Sequence, residues 1–96
     1  MSRYVLSRAA QESLIDIKTY STKTFGKKRT TIYLKSLRDR MKDLSESPLA
    51  GLSRDEIKKG YFSYYEGSHT IYYRITKTHI DIIDILHQSM EPSLHL

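Results

Sequence analysis

Ninety-six residues, 39% of them hydrophobic, suffice for one domain with one core, residues 1–96. Cysteine is absent, which excludes disulfides and thiolate metal sites, and no apolar run approaches the roughly 20 residues that cross a bilayer. The net charge of +5 is uneven: residues 1–46 hold eleven Lys/Arg against five Asp/Glu, and residues 47–96 hold five against six. Within Thr22–Lys42 eight basic residues face one acid, Asp39. Such a surface draws an acidic partner, nucleic acid or protein. The start, MSRYVLSRAAQ, lacks the apolar centre of a signal peptide, so the expected compartment is the cytoplasm.

Arg3–Leu6 is a short apolar strand candidate. Ser7 stands where a helix N-cap belongs, with Ala9 and Ala10 in the first turn. From Arg8 to Phe25, Ala10, Leu14, Ile17 and Tyr20 share one broad helical face, and Gly26 closes the helix. A second helix follows from about Lys28 to Ser45. Tyr33, Leu34, Leu37, Met41 and Leu44 form its apolar stripe, and Lys28, Lys35 and Lys42 lie on the opposite side. The two make an antiparallel hairpin with a very short turn.

Ser47–Lys59 reads as a connecting loop. Gly60–Glu66, Ser68–Thr76 and His79–His87 read as a three-stranded meander, with tight turns at Glu66-Gly67 and Lys77-Thr78. In the middle strand His69, Ile71, Tyr73 and Ile75 should face the helices, and Thr70, Tyr72, Arg74 and Thr76 should face out. The fold class is therefore α+β, ordered β-α-α-β-β-β: an antiparallel sheet with a helical hairpin packed on one face. Parity places Phe62, Tyr64, Tyr72 and Arg74 on the open face, where exposed aromatics beside an arginine suggest contact with a target.

Four stretches, in order, carry a family resemblance: YVLSRAAQESLIDIKTYSTKTFG, IYLKSLRDRMKDLSESPLAG, DEIKKGYFSYYEGSHTIYYRI and IDIIDILHQSMEPSLHL. Together they resemble the ParE branch of the RelE/ParE superfamily of bacterial toxins, whose ending also runs Ile-Leu-His, two residues, Met and an acid. The resemblance implies a toxin of a type II toxin–antitoxin system. It would inhibit DNA gyrase by binding it and stabilising the cleaved DNA complex, and a ParD-like antitoxin would neutralise it. Topoisomerase IV is the other candidate target. One departure is Gly60-Tyr61-Phe62, where the family often has Gly-Tyr-Arg.

The resemblance also implies contact residues. Met90, Glu91 and His95 in the tail join the open-face set as target contacts. Ile15 and Ile32, apolar on polar helix faces, and the Lys28, Lys35, Lys42 stripe become antitoxin contacts. The alternative is the RelE-like reading, a ribosome-dependent mRNA interferase. RNA cleavage needs a base, an acid and a cation for the phosphate, and the nearest candidates are Arg74 and His87. The structural role for His87 is to end a central strand and bond a nearby backbone group. Arg74 fits a target contact or a solvated side chain equally well. His69, His79 and His95 lack ligand-like spacing, so neither metal nor cofactor is expected.

Overall fold

The computed structural model describes residues 3–96. The first strand, β1, is Tyr4–Leu6. Ser7 then does three jobs at the strand–helix junction. Its Oγ accepts the Ala10 N–H at 2.9 Å and donates to the Ile83 carbonyl at 2.7 Å, and its N–H donates to the Ile82 carbonyl at 3.0 Å. The N-cap thus fixes the start of helix α1, Arg8–Phe25, against a strand far away in sequence.

Gly26 alone separates α1 from helix α2, Lys27–Glu46. Its N–H donates to the Thr22 carbonyl at 3.1 Å, ending one helix. Its own carbonyl accepts from the Thr30 N–H at 3.2 Å and the Thr30 hydroxyl at 2.9 Å, opening the next. The backbone there has φ 89° and ψ 165°, a region that essentially only glycine occupies. Ala10 and Ile17 from α1 meet Leu37, Met41 and Leu44 from α2 in the core. Tyr20 departs from its expected place: it is 65% exposed, and the neighbouring Ser21 is the buried residue of that turn.

After α2 the chain makes a 3-10 turn at Pro48–Ala50 and a two-residue strand, β2, Leu52–Ser53. Two residues are too few for an alternation pattern, so this strand was unreadable within Ser47–Lys59. Tertiary bonds create it: the Tyr73 hydroxyl donates to the Pro48 carbonyl at 2.7 Å and accepts the Gly51 N–H at 3.1 Å. Then come β3, Tyr61–Glu66, β4, His69–Ile75, and β5, Ile80–His87.

The sheet order is β1-β5-β4-β3-β2. The meander is antiparallel as expected and β2, which was not expected, joins it antiparallel beside β3, whereas β1 lies parallel to β5, pairing Tyr4 with Ile80 and Leu6 with Ile82. Ile71, Tyr73, Ile80, Ile82 and Ile85 are the sheet's contribution to the core beneath the helices. Each such side chain contributes about 1.5–3 kcal/mol by leaving water.

Two expectations about the second sheet face are corrected. Phe62 pairs with Tyr73 and Tyr64 with Ile71, and residues opposite one another in an antiparallel pair point the same way. Phe62 and Tyr64 therefore face the helices. Phe62 stacks on Tyr73 with centroids 5.6 Å apart, and Arg40 of α2 lies 4.8 Å over the Tyr64 ring. The cause is the composition of β3, which has tyrosines on both parities, so alternation did not choose a face. The outward set is Tyr61, Ser63 and Tyr65. Nor is that face fully open. Tyr72 is only 4% exposed, with the Arg54 guanidinium 5.9 Å from its ring centre, and Lys58 lies over Tyr61 at 6.0 Å.

Candidate functional site

Two concave surfaces meet at the end of the sheet where β4 begins and β5 ends. The larger, about 890 Å³, is a groove beside the helical hairpin. Ile17, Tyr20, Phe25, Ile32, Tyr33 and Met90 supply its apolar lining, with Asp16 and Arg29 among the charged groups. Arg29 packs over Phe25 at 5.4 Å, holding a flexible cation at the hairpin tip. The smaller, about 520 Å³, lies over the opposite sheet face between Arg54, Tyr65 and Tyr72 and the tail residues Gln88, Met90 and Glu91.

His69 and His87 line both surfaces. They are cross-strand neighbours in register, edge-on with centroids 5.3 Å apart. His69 Nδ1 is 2.6 Å from the Tyr33 hydroxyl, which also donates to the Glu66 carbonyl at 3.1 Å. Burial, with the nearby His87 adding to it, pushes His69 down to about 4, so it is neutral near pH 7. The His87 Nδ1 accepts the Ser89 N–H at 3.1 Å and lies 2.7 Å from the Ser89 hydroxyl. His87 is the last residue of β5 and bonds the backbone amide of Ser89.

Arg74 and His87 are not brought together. Arg74 pairs in register with Asp81, six residues before His87 on β5, so about 20 Å of strand separates them. Arg74 forms an ion pair with Asp81 at 3.2 Å, and His79 Nε2 reaches the other Asp81 oxygen at 2.8 Å. Partial burial opposes ionisation of Asp81, but the hydrogen bonds from His79 and Arg74 outweigh it and hold the carboxyl below its ordinary range. Arg74 and His87 therefore cannot act on one phosphate as cation and acid–base. Among the described residues, no three His, Cys, Asp or Glu side chains converge where they could hold a metal ion.

The other expected contacts are scattered. Met90, 44% exposed, lines both surfaces, and Glu91 lines the smaller. His95 is exposed beyond the 3-10 turn Pro92–Leu94 and lines neither. Ile32 lines the groove, and Ile15 is equally exposed but lies outside it. Lys28, Lys35 and Lys42 are exposed, with Lys35 bonded to Asp39 at 2.7 Å. Sequence reading passed over Tyr20, Phe25, Tyr33 and Arg54 as surface formers. Tyr20 and Tyr33 fit the core stripes, and Arg54 sat in a loop. Only Phe25, a large apolar residue next to the helix-ending glycine, carried a readable signal.

A two-layer α+β domain with concave surfaces on both sides of one sheet end is the class this geometry defines. The family model described as ParE toxin of type II toxin-antitoxin system, parDE, matches residues 4–92. The chain is 35% identical over 96 residues to Toxin ParE1 of Caulobacter vibrioides, covering 100% of this chain and 99% of that one. It is 36% identical to Toxin ParE1 of Mycobacterium tuberculosis, covering 99% and 98%. A solved structure titled Chromosomal ParDE TA system from P. aeruginosa superposes with a TM-score of 0.77 at 17% identity, over 91% of this chain and 96% of that chain, and bears on the fold alone. This chain belongs to the ParE toxin family of type II toxin–antitoxin systems.

Proposed function

We propose that this ParE toxin acts in the cytoplasm by binding rather than by bond cleavage: it holds DNA gyrase on cleaved DNA and is neutralised by a ParD-like antitoxin. The observation that carries this reading is the separation of Arg74 from His87, which splits the pair of residues that the nuclease alternative assigned to one phosphate. No helix among the described residues is long and apolar enough to cross a membrane.

The antitoxin seat is the groove. Its aromatic residues suit the apolar side of a docking segment, and Arg29 in its lining, with the basic excess of the hairpin sequence, suits that segment's acids. Ile32 stays an antitoxin contact, and Tyr20 and Phe25 join it. Met90, Glu91, Arg74 and His95 remain the target contacts, whereas Phe62 and Tyr64 act through packing.

The test incubates purified toxin with gyrase, ATP and supercoiled plasmid, followed by detergent and protease. Linear DNA is the expected product, and added antitoxin should abolish it. Transcript cleavage in a translating extract, with gyrase unaffected, would overturn the reading. Tyr20→Ala with Phe25→Ala should weaken antitoxin binding by more than about tenfold and leave linear DNA formation intact.

A further inference from the structure

Residues 17–38 carry seven Lys/Arg and no Asp/Glu. All seven are exposed, and among the described residues only Lys35 of the seven has an acidic ion-pair partner, Asp39. Five of them lie within roughly 10 Å of the hairpin tip, at about 1.5 Å of helix per residue. Lys18 and Lys23 are in the second half of α1, and Lys27, Lys28 and Arg29 form the first turn of α2. That placement is unfavourable in the isolated chain. The N-terminal end of a helix carries partial positive charge, which favours acids and disfavours cations. The first turn of α2 has no acid, and no side chain caps it.

Residues 18–31 also divide by chemistry. Tyr20, Ser21, Phe25, Arg29 and Thr30 line the groove, and every other residue of the stretch is an exposed Lys, Thr or Gly. The hydroxyls of Thr19, Thr22 and Thr31 donate to carbonyls of their own helices at 2.7 to 3.1 Å, so these side chains lie close to the backbone between the longer lysines. A surface with no apolar anchor offers a peptide little to hold, because protein interfaces draw most of their energy from a few buried anchors, aromatic ones above all. A polyanion with closely spaced charges needs no such anchor.

We propose that this lysine–threonine end of the hairpin docks on the sugar–phosphate backbone of duplex DNA, so that the toxin holds the DNA beside the cut as well as the gyrase that made it. The setting rests on the proposed gyrase reading; the ligand rests on the charge and polarity of the hairpin end. Duplex DNA presents one negative charge per about 1.7 Å of axis. Lysine stems reach phosphates as flexible point charges, without a fixed geometry. Contacts of this kind position a protein on the duplex and carry no sequence information, which leaves the choice of sequence to gyrase. The docking end borders the groove at Phe25 and Arg29 but lies outside its lining.

The test is fluorescence anisotropy of the full chain on a labelled duplex of about 20 base pairs, without gyrase, from roughly 50 to 200 mM salt. Affinity should fall with a log–log slope of about −4.5, one phosphate for each of the five cations at the tip. Lys23→Gln, Lys27→Gln and Lys28→Gln together should make that slope shallower by about three and weaken binding by more than about tenfold. Lys58→Gln, Lys59→Gln and Lys77→Gln remove the same charge from exposed positions outside the hairpin, and should leave the slope within about one of the wild type. Absence of duplex binding, binding to vesicles of acidic lipid in its place, or an equal loss in the two triple variants would overturn the docking. Gyrase is absent from this measurement, so its failure leaves the plasmid assay to judge the toxin's target, and duplex binding without linear DNA would count against the gyrase reading alone.

Discussion

Asp84 lies in the middle of an isoleucine run, is 7% exposed, and has no cation beside it in its hydrogen-bond set. Its Oδ1 accepts the Ser13 hydroxyl of α1 at 2.6 Å and the Ile85 N–H at 2.8 Å. The carboxylate therefore occupies a backbone donor of β5 beyond the stretch that β1 covers, and pins α1 to the strand. Asp84→Ala strands both donors and should cost about 1–3 kcal/mol, read as a lowered urea midpoint. Asp84→Asn, which retains an acceptor oxygen, should lose less. His69 gives a second residue-scale expectation, with a sign. Its folded value of about 4 lies below its ordinary 6.5, so the unfolded chain takes up a proton that the folded chain refuses. Stability from this group is full above pH 6.5 and falls as the pH drops toward 4. The difference in Tm between the wild type and His69→Gln should change across that window and stay flat above it. Parity alone put His69 on the helix face. Its partners were not legible, because Tyr33 lies 36 residues away and fits a core stripe equally well.

Elements bounded by local chemistry were the readable ones. Ser7 and Gly26 mark helix ends through bonds made within a few residues, and both do so in the structure. Gly26→Ala tests this directly. A Cβ there meets nothing within 4 Å, so the whole effect is backbone strain at φ 89°, of order 1–3 kcal/mol, visible as a lower Tm with an unchanged core. Gly51 is the reverse case: its φ of −77° is ordinary, but a Cβ would collide with the Tyr73 hydroxyl that holds the loop. β2 and the facing of β3 were illegible for one reason. Both are settled by partners elsewhere in the sheet rather than by the strand's own pattern. The same holds for the groove, which combines α1, α2 and the tail.

At the scale of the whole molecule, the basic half of the sequence is the helical hairpin and the near-neutral half is the rest of the domain. Such a distribution steers an acidic partner to one end. Association with the proposed ParD-like antitoxin should therefore slow by roughly tenfold from low salt to 0.5 M, while dissociation changes little. Stopped-flow mixing at several ionic strengths reads both rates. The parallel alliance of β1 with β5 adds a timetable. Tyr4 is made near the beginning of synthesis and its neighbour Ile80 near the end. Pairings so remote along the chain form late and slowly. A ribosome translating this message releases a helical hairpin first and a finished sheet last. The nascent chain is thus without its completed architecture for most of its own production, and the β5 edge that β1 covers is the last to be made.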